Sequence, residues 1–112
     1  MAASKQWGRS EYWGLSYAWD LQWQLNDRQK SIQKQLIEVC RTVIRPHAIE
    51  CDASYIYPRQ SMEALAGLGL LGLLVPKSLG GMGENHTTAV MVCETIARYG
   101  CSSTAMVYDL KR

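Results

Sequence analysis

Close pairs of metal ligands are missing from this sequence of 112 residues. It has only two histidines, at unrelated positions, and no C-x-x-C pair among its cysteines, which are Cys40, Cys51, Cys93 and Cys101. Structural zinc sites are usually built from closely spaced ligand pairs, so we expect no metal site. The amino terminus lacks the continuous apolar centre of a secretory signal, and we therefore expect reduced thiols rather than disulfides. Cys101, just ahead of an expected helix, is an alternative candidate nucleophile without an identifiable partner base.

Long apolar runs and a large excess of one charge are also missing. The longest apolar run, Leu68 to Val75, is interrupted by glycines and falls well short of the roughly 18 to 20 residues that span a bilayer. The formal net charge is +2, and no basic run alternates with aromatic residues as a nucleic-acid surface requires. We therefore expect neither a membrane span nor a nucleic-acid partner. A chain of this length supports one domain with a modest core.

No stretch alternates apolar and polar residues as a half-buried strand does, whereas spacings of three and four recur. The sequence therefore predicts an all-α, up-and-down bundle of about four helices, with Leu73-Leu74-Val75 as a short extended connector. Asn26 and Gln29 form a capping pair for the first helix. The apolar face of that helix consists of Ile32, Leu36, Val39, Cys40, Val43 and Ile44. Pro46 interrupts it, so His47 to Asp52 should form a kinked continuation or a turn.

Two later segments also have helical patterns. Thr87 to Tyr99 is expected to form a helix that Gly100 ends, and Ser102 or Ser103 should cap the next helix. The apolar stripe of the earlier one consists of Val90, Cys93, Ile96 and Ala97. Glu94 is interpreted as a solvated or ion-paired carboxylate and not as a catalytic base, since no acidic or basic partner can be identified for it.

The segment Gly67-Leu68-Gly69-Leu70-Leu71-Gly72 matches G-x-G-x-x-G, which binds dinucleotide phosphates when it follows a strand and opens a helix. Here the order is reversed. Pro58 is suited to start a helix, and Met62, Leu65 and Leu68 continue the apolar face of that helix. The glycines therefore end a helix, because each glycine inside one would cost about 1 kcal/mol. The sequence does not predict a dinucleotide site here.

Positions around these glycines follow the pattern L-x-x-L-G-L-x-G-x-x-V-P and then G-G-x-G. The matching residues are Leu65, Leu68, Gly69, Leu70, Gly72, Val75, Pro76, Gly80, Gly81 and Gly83. This pattern resembles the signature of the acyl-CoA dehydrogenase amino-terminal helical domain. Two other regions resemble the same family, namely Trp23, Leu25 and Gln29 with Ile44 to Asp52, and Glu94, Ala97, Ser103 and Ala105, where Thr95 departs from an expected acid.

The resemblance covers Trp23 to about Tyr108. It divides the chain into a Trp-rich amino-terminal extension, residues 1–22, and an acyl-CoA dehydrogenase amino-terminal-like helical domain, residues 23–112, which we expect to be truncated. The resemblance implies a mitochondrial location, although residues 1–22 match a transit peptide only weakly. The cytoplasm is the alternative.

In the family that this chain resembles, the complete enzyme uses FAD to remove an α proton and a β hydride from acyl-CoA thioesters. The resemblance places Ala105 and Asp109 closest to the acyl tail, with Val107 and Tyr108 as further candidate substrate-binding residues. Ordinary core and surface roles are the alternative for these four positions. The family's flavin-binding regions and catalytic glutamate correspond to no residue here, so we expect no catalytic, cofactor-binding or metal residue, no retained FAD and no dehydrogenase activity from these residues alone.

Two functions of different classes follow. The first is the amino-terminal portion of an FAD-dependent acyl-CoA dehydrogenase, contributing to the wall of the acyl pocket. The alternative is a noncatalytic helical interaction module whose uncovered apolar face binds a full-length relative or another partner. A homo-oligomer is a further partner hypothesis.

Overall fold

The computed structural model of the protein describes residues 25–111, and side chains for residues 25–110. Every regular element in this range is helical, which confirms the all-α prediction. The helices are α1 (Asp27–Val39), α2 (Arg45–Ser54), α3 (Arg59–Gly67), α4 (His86–Thr95) and α5 (Ser102–Lys111). π-helical turns lie at Cys40–Ile44 and Ile96–Gly100, and 3-10 turns at Leu70–Gly72 and Lys77–Leu79. The predicted Trp-rich extension, residues 1–22, and Trp23 lie outside the described residues.

The start of α1 has the predicted capping pair. The Asn26 N–H donates to Gln29 Oε1 at 2.9 Å, and the Gln29 N–H donates to Asn26 Oδ1 at 2.8 Å. Each side chain thus satisfies a backbone donor that has no partner inside the helix, an arrangement that stabilises a helix by about 1 kcal/mol. The chain divides into two compact units, Met1–Ser31 and Ile32–Arg112, and this capping pair belongs to the first.

Pro46 lies within a continuous helical path from α1 through the π-helical turn Cys40–Ile44 into α2. Of the two predicted outcomes, a helical continuation is therefore observed and a turn is not. Proline has no N–H to donate to the carbonyl four residues back, and its ring crowds that carbonyl. The wider π turn just before Pro46 relieves this conflict, because the Arg45 N–H bonds to the Cys40 carbonyl five residues back.

The core of the second unit is built from α1, α3, α4, α5 and the glycine-rich segment. Its buried apolar residues are Leu36, Cys40, Ile44, Met62, Leu65, Leu70, Leu73, Ala89, Met91, Val92, Ile96 and Tyr108. The predicted apolar face of the first helix faces the core along α1 and the π-helical turn after it. Leu36, Cys40 and Ile44 are fully buried, and the other three residues of that face are half-buried. None of the helices among residues 25–111 is long and apolar enough to cross a bilayer.

The predicted apolar stripe of α4 is wrong in phase. Val90 is 68% exposed, Ala97 is exposed and Cys93 is only half-buried. Of the predicted stripe only Ile96 is buried, and the other buried residues are Thr88, Ala89, Met91, Val92 and Thr95. A buried threonine in this helix can satisfy its hydroxyl within the helix. Thr95 Oγ1 donates to the Met91 carbonyl at 2.7 Å. The sequence pattern therefore picked out apolar residues on the outer side of a helix that is apolar on both sides.

The glycine-rich segment after α3 folds back on itself. The Met82 N–H donates to the Gly72 carbonyl at 3.0 Å, and the Gly83 N–H to the Val75 carbonyl at 2.8 Å. Gly81 lies so close to the Val75 carbonyl that a Cβ at position 81 would overlap it. The predicted extended connector Leu73-Leu74-Val75 is wrong, because Leu73 has right-handed helical dihedrals and the segment continues as a turn.

Candidate functional site

Helix α5 carries all four predicted substrate-binding residues, and Cys101 caps its amino-terminal end. Cys101 has an extended backbone, and its Sγ accepts the Thr104 N–H at 3.4 Å while donating to Thr104 Oγ1 at 3.1 Å. The prediction that Ser102 or Ser103 caps this helix is therefore wrong, since both serines already lie inside it. A thiol sulfur fills the position that a serine or aspartate oxygen usually takes.

Tyr108 fixes α5 to the glycine-rich segment. Its side chain has no exposed surface, and its hydroxyl donates to the Leu70 carbonyl at 2.6 Å across 38 positions of the sequence. Leu70 begins the 3-10 turn that follows Gly69, which has a left-handed backbone with φ of +80°. One buried hydrogen bond thus joins the tyrosine of α5 to the turn that follows Gly69.

The other three predicted residues surround this anchor on α5. Ala105 and Val107 are half-buried, whereas Asp109 is exposed. Residues four apart in a helix lie above one another on the same face, so Ala105 and Asp109 share a face. Tyr108 points into the core and Asp109 follows it by about 100° around the helix, which directs Asp109 outward. The structure therefore separates a buried residue, Tyr108, from three that reach the surface.

Sequence reasoning missed a contact at Asp109. The Cys93 Sγ of α4 donates to Asp109 Oδ1 at 3.7 Å, joining two positions 16 apart in the sequence. The helical spacing placed Cys93 in the apolar stripe of α4. No local pattern indicates this pairing, because it depends on how α4 lies beside α5.

Glu94, which follows Cys93 in α4, forms an ion pair. Glu94 Oε1 accepts from Arg98 Nη2 at 2.6 Å, one turn apart along α4 and the π-helical turn after it. This agrees with the ion-paired interpretation of Glu94. Within residues 25–111 no group of three histidine, cysteine or acidic side chains has the arrangement of a metal site.

The glycine segment at residues 67–72 does not form a cradle for dinucleotide phosphates. Such a cradle places a glycine-rich turn between a strand and the start of a helix, so that backbone N–H groups face the pyrophosphate. Here Gly67 is the last residue of α3 and Gly72 closes a 3-10 turn. The reversed order expected from the sequence is confirmed, and this glycine segment does not fit the cofactor.

The described residues define an all-α helical domain in which α5 is held against the glycine-rich segment. The family model described as "Acyl-CoA dehydrogenase, N-terminal domain" matches residues 26–111. The chain belongs to this family. No solved structure gives a significant match.

Relatives with curated names support the same membership. Cyclohex-1-ene-1-carbonyl-CoA dehydrogenase from Syntrophus aciditrophicus (strain SB) is 37% identical over 84 residues, which cover 75% of this chain and 20% of the relative. The mitochondrial short-chain specific acyl-CoA dehydrogenase of Homo sapiens is 32% identical over 81 residues, covering 69% of this chain and 19% of the relative. A 3-sulfinopropanoyl-CoA desulfinase of Variovorax paradoxus is 33% identical over 76 residues, covering 68% and 19%. The chain therefore spans about a fifth of the length of the relatives it matches.

Proposed function

We propose that this chain is the amino-terminal portion of an FAD-dependent acyl-CoA dehydrogenase, which performs the α,β-dehydrogenation of acyl-CoA thioesters. The match of the family's amino-terminal domain over residues 26–111 carries the proposal. Two of the three relatives described above are named as acyl-CoA dehydrogenases. The flavin would accept the β hydride, and both it and the catalytic base would be held outside the residues matched here.

The proposed contribution of this chain is one wall of the acyl pocket. Ala105 and Asp109 would face the acyl tail, Val107 would flank them, and Tyr108 would orient them through its bond to the Leu70 carbonyl. The exposure of Asp109 and the partial exposure of Ala105 and Val107 support this arrangement, because a ligand-contacting side chain needs a surface. Buried Tyr108 is proposed as a positioning residue and not as a direct contact.

The protein isolated from its own cells tests the dehydrogenase proposal. An antibody against the purified chain would capture the endogenous protein for intact mass, flavin absorbance and acyl-CoA-dependent dye reduction. We expect a mass several times that of this chain, bound flavin and activity, with neither flavin nor activity in the purified 112-residue chain. Sulfite release from 3-sulfinopropanoyl-CoA without dye reduction would instead favour the desulfinase reaction named for the Variovorax relative. An endogenous mass equal to that of the chain would contradict the proposal.

The acyl-pocket assignment makes its own prediction in that endogenous enzyme. Ala105→Leu adds three carbon atoms at the half-buried position closest to the proposed acyl tail. We expect kcat/KM to fall at least about tenfold more for long than for short acyl-CoA substrates, because overfilling a packed pocket typically costs 1–3 kcal/mol. Met106→Leu, at a neighbouring residue that is 68% exposed, is the volume-matched control. Equal losses for short and long substrates would remove Ala105 from the pocket.

A second function, a noncatalytic interaction module, is favoured by exposed apolar side chains on α4 and α5. Val90, Met106 and Leu110 are 68%, 68% and 78% exposed. Large exposed apolar residues on neighbouring elements often mark an interface. Binding of the purified chain to a full-length acyl-CoA dehydrogenase at a defined stoichiometry, weakened by Leu110→Lys but not by Ile49→Lys on α2, would support this function. A monodisperse monomer that binds no such subunit, and no second copy of itself, would contradict it.

The human relative carries "mitochondrial" in its name, and we propose the same location for this protein, with the cytoplasm as the alternative. Subcellular fractionation with the same antibody decides between the two compartments.

A further inference from the structure

Two cysteines from distant parts of the sequence approach each other at Gly100. A Cβ at position 100 would lie 3.5 Å from Cys40 Sγ and 2.7 Å from Ile44 Cγ2. Only a residue without a side chain lets the π-helical turn Cys40–Ile44 pack this closely on the end of the turn Ile96–Gly100. Cys101 follows Gly100 directly, so this close packing brings its thiol into the neighbourhood of Cys40.

The environments of the two thiols differ. Cys40 has no exposed surface, whereas Cys101 is half-buried. Burial, the larger cause, and the negative charge of the Cys101 thiolate, the smaller one, together raise the pKa of the Cys40 thiol to about 11. This electrostatic effect agrees with the closeness that the packing at Gly100 gives to the residues on either side of it. One of them is accessible to a dissolved reagent, and the other is a protonated, shielded neighbour.

We propose that Cys101 and Cys40 form a peroxide-responsive disulfide pair, in which accessible Cys101 is oxidised first and buried Cys40 then resolves it. A hydroperoxide transfers one oxygen to the Cys101 sulfur, giving a sulfenic acid and an alcohol, or water when the oxidant is hydrogen peroxide. The Cys40 sulfur then attacks the Cys101 sulfur, forming the S–S bond and releasing water. The two thiols together lose two protons and two electrons, and the O–O bond of the peroxide accepts the two electrons.

The disulfide changes the start of α5. Reduced Cys101 caps this helix by accepting the Thr104 N–H and by donating its thiol proton to Thr104 Oγ1. The oxidised sulfur has no proton to donate and is drawn toward Cys40, so oxidation weakens the cap. Because α5 also carries Ala105 and Asp109, oxidation would alter the proposed acyl-pocket wall. That last consequence rests on the proposed function, but the disulfide itself does not.

The purified full chain tests the pair directly. After brief treatment with stoichiometric hydrogen peroxide, free thiols are blocked with N-ethylmaleimide and the chain is digested with trypsin without reduction. Trypsin separates the cysteines, since Cys40 falls in Gln35–Arg41, Cys51 in Thr42–Arg59, Cys93 in Ser78–Arg98 and Cys101 in Tyr99–Lys111. We expect Gln35–Arg41 linked to Tyr99–Lys111 as the main disulfide, and loss of that species on reduction. Cys101→Ser should abolish it, whereas Cys93→Ser should leave its yield unchanged.

Comparison with the unfolded chain makes the result decisive. The same treatment in concentrated urea should give mixed pairings, because only folding holds Cys40 beside Cys101. An equal yield of the Cys40–Cys101 link in the folded and unfolded chains would overturn the proposal. So would a Cys101 sulfenic acid that persists in the folded chain and is captured by a dimedone reagent while Cys40 remains free. Activity of the endogenous protein does not enter this test, so failure of the dehydrogenase proposal leaves it unaffected.

Discussion

The hydrogen bond from the Tyr108 hydroxyl to the Leu70 carbonyl, at 2.6 Å, joins residues that are 38 positions apart in the sequence. Tyr108→Phe keeps the ring in the core but removes this donor. The Leu70 carbonyl still accepts the Leu73 N–H at 3.3 Å. We therefore expect the free energy of unfolding to fall by about 0.5–1.5 kcal/mol, the net contribution of one hydrogen bond. Urea unfolding of the purified chain measures it. Tyr55→Phe, at a residue 96% exposed, is the control and should change little. Identical urea midpoints for Tyr108→Phe and the unmodified chain would show that the bond contributes nothing.

Two glycines on either side of the 3-10 turns provide a matched pair of substitutions. At Gly81 a new Cβ meets the Val75 backbone carbonyl, whereas at Gly67 nothing lies within 4 Å. Gly81→Ala should therefore lower stability by about 1–3 kcal/mol, because a backbone carbonyl cannot move aside as a flexible side chain does. Gly67→Ala, at the last residue of α3, should raise stability by about 0.5–1 kcal/mol through the better helix propensity of alanine. Shifts of the same sign in thermal unfolding would contradict this reading of the segment.

At the scale of elements, the start of α5 depends on sulfur as a capping atom. Cys101→Ser keeps an acceptor for the Thr104 N–H, and we expect stability to be maintained or slightly increased, because serine is a favoured residue at this position. Cys101→Ala removes the acceptor and should cost about 1 kcal/mol. Thermal unfolding and the helical circular dichroism signal compare the two variants. Equal stability of the serine and alanine variants would show that the sulfur does not cap the helix.

Elements whose signals are local were predictable from the sequence. Asn26 and Gln29 were predictable as the cap of α1 because both partners lie within one turn. The end of α3 was predictable because Pro58 marks where that helix starts and each glycine inside a helix is unfavourable. The α4 stripe was wrong because threonines such as Thr95 satisfy their own hydroxyls and then pack like apolar residues. Cys101 was not predicted as a cap, since sulfur is rarely counted among capping atoms. Leu73 was predicted as extended because successive 3-10 turns leave no periodic signature.

The candidate site was predictable in part. The sequence placed four residues on α5, and the structure confirms that helix. The inward direction of Tyr108 depends on a partner 38 positions away, and the Cys93–Asp109 contact depends on the packing of two helices. No local sequence pattern indicates the direction of Tyr108 or the Cys93–Asp109 contact. The assignment of Ala105, Val107 and Asp109 to an acyl contact stays a prediction, as does the role of Tyr108 in positioning them.

For the whole molecule, Cys40 links stability to alkaline pH. Its pKa is raised from 9.0 to about 11 in the folded protein. The unfolded chain therefore loses this proton at lower pH than the folded chain does, and folding stability falls as pH rises from about 9 to about 11. The loss approaches about 3 kcal/mol at most, because one pKa unit corresponds to about 1.4 kcal/mol. Below pH 9 this thiol contributes no pH dependence.

Urea unfolding from pH 8 to 11.5 measures this effect, and Cys40→Ala isolates it from the titration of tyrosines and lysines. We expect the difference in unfolding free energy between the variant and the unmodified chain to depend on pH only between about 9 and 11. A difference that stays constant across the whole range would show that the Cys40 thiol titrates alike in the folded and unfolded states.

The Tyr108–Leu70 bond also affects the order in which the molecule assembles. Leu70 is synthesised well before Tyr108. Its carbonyl therefore cannot accept the Tyr108 hydroxyl until α4 and the turn after it have been synthesised. Bringing together residues 38 positions apart has a larger entropic cost than forming the local contacts of one helix. Docking of α5 is therefore a late event, and a growing chain stalled before Tyr108 would hold α3 and its glycines without the contact that fastens them.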